Sequence, residues 1–129
     1  MNKVVITGRI TKDIELRKTK NNKIVAEIYV ACNRDFKDQE GNYITDFIKT
    51  YVWENEANFL SKYAKKGSLI AVAGKIETNT YVKNDQKVYS TYINAEHVEI
   101  LSNPKSERQD FEEKPNNNVI IEQEELPFY

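Results

Sequence analysis

Phe47, Lys49, Tyr51 and Trp53 occupy every second position of one short segment, with Ile48 and Val52 between them. An extended backbone sends alternate side chains to opposite sides. This spacing therefore puts three rings and an ammonium on one side of a strand, leaving Ile48 and Val52 to fill a core. Phe36 is expected on the loop before that strand, flanked by Arg34 and Lys37, and downstream Lys75, Glu77, Asn79, Tyr81 and Lys83 alternate in the same way. Planar rings interleaved with cations suit an unpaired polynucleotide. A ring stacks on any base whose face is bare, while Lys and Arg neutralise phosphates and release counterions. A duplex hides its base faces, so this chemistry selects single strands. Aromatic residues on strands also pack in cores or across strands. Tyr51, in mid-strand, fits an interface equally well, and Tyr63 fits a core.

Other chemistries find little raw material. Cys32 is the sole cysteine and His97 the sole histidine, which excludes an internal disulfide framework, a thiolate zinc cluster and His-rich metal sites. Gly8, Gly41, Gly67 and Gly74 form no phosphate loop or dinucleotide fingerprint. The close carboxylates Asp35/Asp38 and Glu54/Glu56 read as solvated charges, Cys32 as an inert core thiol and His97 as structural. The expectation is a non-enzyme with no cofactor and no metal. With no long apolar stretch at the amino terminus or elsewhere, neither an export signal nor a membrane span is expected. A lone cysteine then fits a reducing cytoplasm.

The elements that must position these residues follow from periodicity. Val4, Ile6, Gly8 and Ile10 share one face of a first strand; Ile24, Ala26, Ile28, Val30 and Cys32 share one face of a second. A third strand spans Tyr43–Trp53. A helix over Glu54–Lys66 carries Ala57, Leu60 and Ala64 on one stripe, with Lys65 and Lys66 in its last turn and Gly67 placed to cap it. Two long strands, about Ser68–Lys83 and Lys87–Leu101, complete the order β-β-β-α-β-β. That order predicts an all-β fold: a five-stranded, antiparallel OB-fold barrel with one helix between strands 3 and 4. Val5, Val25, Tyr29 and Ala31 make several strands apolar on both faces, which implies an outer surface covered by another subunit.

The formal charge of −1 hides an asymmetry. Residues 1–102 hold 16 Lys/Arg and 13 Asp/Glu, a net of +3, whereas 103–129 hold 3 and 7, a net of −4. Composition shifts at the same point to Asn, Pro and charge without periodicity. Residues 1–102 are therefore expected to be the folded domain and 103–129 a disordered linker with an acidic tip. The apolar triplet Val119-Ile120-Ile121 fits neither description.

Taken together, Asn2 to Asp13, Val25-Ala26 with Ala31-Cys32-Asn33-Arg34, Thr45-Asp46-Phe47-Ile48, Val52-Trp53, Tyr63 to Ser68 and Gly74-Lys75-Ile76 resemble the bacterial-type single-stranded DNA-binding proteins. The resemblance covers about residues 1–101 and recurs at the end of the chain. It implies base stacking on Phe36, Phe47, Trp53 and Tyr81, and basic contacts from Lys49 and Lys66; the residue pattern adds Arg34, Lys37 and Lys75. It also implies a homotetramer in the bacterial cytoplasm, associated with the nucleoid or replication fork, that coats single strands during replication, recombination and repair. The ending Glu124-Glu125-Leu126-Pro127-Phe128 resembles the family's terminal docking peptide for replication and repair proteins, with Tyr129 as a departure. Glu77, Asn79 and Thr80 stand where many relatives carry basic residues, and Ile14 where proline is common. An OB-fold adaptor that binds proteins, or more remotely a barrel nuclease, would share the fold.

Overall fold

A computed structural model describes residues 1–104 and 120–122. The elements run β1 (Val4–Ile10), β2 (Leu16–Lys18), β3 (Ile24–Lys37), β4 (Tyr43–Trp53), α1 (Glu54–Tyr63), β5 (Leu69–Lys83), β6 (Gln86–Ser102) and β7 (Ile120–Glu122). The sheet order is β1-β5-β6-β4-β3-β2-β7, and pairing of Arg9 and Ile10 with Ala31 and Val30 joins β1 to β3. This closes a five-stranded barrel of the OB type, with α1 as its only helix among the described residues.

The expectation that all five strands are antiparallel needs correction. β4 and β6 run parallel, with Thr50 opposite Ile93 and Tyr51 opposite Asn94. An odd number of strands cannot alternate in direction around a closed ring, so one contact must be parallel. Closure also demands close backbone approach. A Cβ on Gly8 would collide with the Ala31 carbonyl oxygen, and one on Gly74 with that of Asn94; only glycine fits at either place.

The alternating residues fill the interior as their period requires. Ile10, Leu16, Ala26, Ile28, Val30, Val52, Ile70, Val72, Ile93 and Val98 form the core, and Ala57, Leu60 and Ala64 of the helical segment pack into it. Cys32 borders this core, half-buried; burial first, and the Asp46 charge second, push its thiol pKa upward. The helix ends sooner than its periodicity predicts. Ala64 is extended and Gly67, at φ +91°, instead shapes the turn in which Ser68 N–H donates to the Lys65 carbonyl. Lys65 and Lys66 thus lie beyond the helix. Tyr63 is not core either: it is exposed and tilts against Phe59, with ring centroids 5.5 Å apart, because Ala64 takes the inward position.

Three of the carboxylates read as solvated, Glu54, Glu56 and Asp38, have structural work. Glu54 accepts from Ile24 N–H at 2.8 Å and Glu56 from Val98 N–H at 3.0 Å, tying the helix start to the barrel. Asp38 accepts from both Glu40 and Asn42 N–H at 2.9 Å, shaping the β3–β4 loop. Asn84 and Asp85 both adopt positive φ, at 52° and 63°, as the tight β5–β6 hairpin turn requires. His97 is exposed, with Nε2 3.2 Å from Glu99 and Nδ1 3.9 Å from Glu56. No helix among the described residues is long and apolar enough to cross a membrane.

Candidate nucleic-acid interface

Register places the aromatic segment on the outside of the barrel. Across β3 and β4, Ala31 faces Phe47, Tyr29 faces Lys49, Glu27 faces Tyr51 and Val25 faces Trp53. Across β5 and β6, Glu77 faces Tyr92, Asn79 faces Ser90 and Tyr81 faces Val88. The β4–β6 contact joins the two ladders, and Lys49 Nζ donates to Ser90 Oγ across it at 3.3 Å. The two alternating patterns in the sequence therefore form one continuous four-strand face.

Within that face, the rings are not equivalent. Phe47 is 62% exposed and Phe36 is 61% exposed, so both present bare rings to solvent. Tyr81 is 39% exposed on the β5 arm. Tyr51, only 2% exposed, is the floor: its ring meets Tyr92 edge-on, with centroids 5.1 Å apart, and Val25 completes a small apolar cluster on the outer side. Trp53 packs partly buried against this cluster. Burial, with help from the Glu27 charge, drives the Tyr51 phenol well above its usual range. Tyr92 is pushed up to about 12, by burial first and Glu77 second. Both hydroxyls stay neutral through the physiological range.

Polar groups then fix the floor. Glu77 accepts from the Tyr92 hydroxyl and from Asn94 Nδ2, each at 3.2 Å. An acidic residue on a face expected to meet phosphates is thus engaged in holding Tyr92 in place. Glu27 similarly lies 3.7 Å from Arg17.

The expected cations differ in how they are held. Lys49 sits centrally, 5.9 Å from the Tyr51 ring centroid. Lys37 caps the Tyr43 ring at 4.9 Å, pairing the β3 arm with an exposed tyrosine that the alternation did not single out. Phe36 and Lys37 are not on a loop as expected but belong to β3 itself, which runs beyond its apolar alternation to Lys37 after a register shift between Asn33 and Lys37. Arg34 is bound on both prongs by Asp46, at 2.9 and 3.0 Å. Lys75 lies 3.8 Å from Glu96, which Lys3 also binds at 2.9 Å. Lys66 is off the four strands, on the turn after α1, where its backbone N–H donates to Asp13. Glu124, Glu125, Leu126, Pro127 and Phe128 lie outside the described residues.

This arrangement can hold a strand of planar groups and anions: bare rings at Phe36, Phe47 and Tyr81, a half-seated indole at Trp53, and an ammonium between them. Among the described residues, no group of three or more His, Cys, Asp or Glu side chains is arranged to hold a metal ion.

Comparison with known proteins gives the same direction. The model of the single-strand binding protein family matches residues 1–101. The chain is 36% identical over 137 residues to "Single-stranded DNA-binding protein 3" of Streptococcus agalactiae, covering 99% of both proteins. It is 45% identical over 102 residues to "Single-stranded DNA-binding protein 1" of Streptococcus pyogenes, covering 78% of each. With "Single-stranded DNA-binding protein 1" of Lactococcus lactis it shares 41% identity over 110 residues, 84% of this chain and 73% of that one. A match over most of the chain, joined to a closed barrel with an exposed aromatic face, places this protein in the single-strand binding protein family.

Proposed function

We propose that this protein is a non-enzymatic, sequence-tolerant binder of single-stranded DNA that coats and protects single strands during replication, recombination and repair. The observation that carries the reading is Phe47. It stands in register with the barrel wall yet is 62% exposed, two positions from Lys49 and six from Trp53. A core role would not leave that ring bare. Stacking on an aromatic is worth about 1–3 kcal/mol per base, a figure taken from single-strand-binding proteins as a class and not from this structure. Phe36, Phe47, Trp53 and Tyr81 would stack on bases, while Lys49, Lys37, Lys66 and Lys75 meet phosphates, with Arg34 in the same role once it leaves Asp46. The names of the streptococcal and lactococcal relatives support the same ligand.

Assembly belongs to the proposal as well. Val5 is 72% exposed, and Ile76 and Leu101 are about half exposed, so the outer β-surface carries apolar area that a homotetramer would cover. The ending Glu124 to Phe128 is assigned to docking of replication and repair proteins, its acids meeting a basic rim and Phe128 an apolar pocket. A soluble cytoplasmic protein working at the nucleoid fits these roles.

Trp53 is the only tryptophan, so its fluorescence reports the face directly. Titration with oligo-dT is expected to quench it strongly, with affinity falling as salt rises. An unchanged signal, together with no binding by sedimentation, would overturn the reading and favour a protein-binding adaptor. Shortening of the strand on adding a divalent metal would instead point to a nuclease.

A further inference from the structure

β2 is three residues long and forms the rim of the sheet that carries the aromatic face. Such an edge presents unpaired backbone groups and is open to another strand. Ile120–Glu122 lies against it in parallel, with Ile120 opposite Leu16, Ile121 opposite Arg17 and Glu122 opposite Lys18. Ile121, Arg17, Val25 and Trp53 thus follow one another across four strands. We propose that the outer edge of β2 is a strand-addition site whose resident occupant is the chain's own segment Ile120–Glu122.

Three features make this segment the occupant. Val119-Ile120-Ile121 is the only run of consecutive β-branched residues in 103–129, and such residues favour extended pairing. Direction supplies charge complementarity. The parallel register puts Glu122 opposite Lys18, next to the β2–β3 turn that carries Lys20 and Lys23 in sequence. Length is the third. The 17 residues between Ser102 and Ile120 can reach at most about 60 Å, so the segment's own edge lies within the reach of its tether. Three paired residues are too few to hold separate chains together, but suffice when tethered.

The pairing changes how the end of the chain is displayed. Held at Glu122, the last seven residues reach at most about 25 Å from the rim, whereas a tail free from Asn103 extends several times farther. This inference does not depend on what the face binds.

Hydrogen–deuterium exchange on the full chain without DNA tests it. Proline at 121 removes an N–H and disfavours a paired strand. Ile121→Pro is expected to speed exchange over residues 16–18 by about fivefold or more, as should ending the chain after Asn118. Asn117→Pro, outside the pairing, should leave the rate unchanged, and the β3 core amides should not move in any variant. Equal rates over 16–18 in the wild type and Ile121→Pro would overturn the proposal. Protection that falls on dilution would place another copy's tail on the edge, and overturn it too.

Discussion

Arg34 and Asp46 form a two-pronged ion pair across the β3–β4 ladder, Nε to Oδ2 at 2.9 Å and Nη2 to Oδ1 at 3.0 Å. A guanidinium that spacing alone assigns to phosphates is already satisfied in the unbound protein. The bond also holds the Asp46 carboxyl below its usual pKa, with Arg34 hydrogen bonding as the larger cause.

Asp46→Asn should release this cation for phosphate. Binding of oligo-dT at low salt is expected to tighten by about 2- to 5-fold, with the log–log salt slope steeper by about 0.7. Arg34→Ala should then cost more affinity in the Asp46→Asn background than in the wild type. Titrations of the four proteins at several salt concentrations check this; equal losses would mean that Asp46 does not restrain Arg34.

Phe47 and Trp53 should separate binding from stability. Phe47→Ala is expected to weaken oligo-dT about tenfold or more while leaving unfolding within about 0.5 kcal/mol. Trp53 rests on Val25, Tyr51 and Tyr92, so Trp53→Ala should lose affinity and also about 2 kcal/mol of stability. Urea unfolding alongside DNA titration distinguishes the two.

The outer tyrosine cluster predicts alkaline lability. Tyr92 is raised to about 12 and Tyr51 is raised further, while both return to about 10 on unfolding. The unfolded chain therefore loses these protons first, and stability declines as pH rises from about 10 through 12. Ultraviolet difference absorbance should show a late-titrating tyrosine fraction that shrinks in Tyr92→Phe. Tyr92→Phe should flatten the decline; an unchanged profile would place its cause elsewhere.

Gly8→Ala tests barrel closure. Its Cβ would strike the Ala31 carbonyl, a backbone atom that cannot swing aside. A loss of more than about 2 kcal/mol is expected, whereas Gly41→Ala meets no neighbour and pays only for its positive φ of 86°. Thermal unfolding of the two variants gives the comparison.

Removing residues 122–129 strips three negative charges, those of Glu122, Glu124 and Glu125, since the shortened chain keeps a terminal carboxylate. Affinity for oligo-dT is expected to rise at low salt, the outcome of an acidic end competing for the basic face, and the gain should vanish near 1 M salt, where the screening length is about 3 Å. Equal affinities at low salt would remove the tail from the binding equilibrium.

Much of this protein was legible along the chain. Period-two alternation located every long strand, since a strand's own geometry sends neighbours to opposite sides, and β4 was bounded at Tyr43–Trp53 from its residues alone. The alternation also grouped Phe47, Lys49, Tyr51 and Trp53 on one side. What that side becomes depends on partners far away in sequence. Tyr51 is buried because Tyr92 of β6 closes over it, Arg34 is neutralised because β4 brings Asp46 alongside, and Glu77 is engaged because Tyr92 and Asn94 face it. Likewise β2 and β7 are too short to announce themselves, and exist as strands only through the edges they share. Local backbone preference fixes which residues point the same way; only long-range pairing decides which of them remain bare.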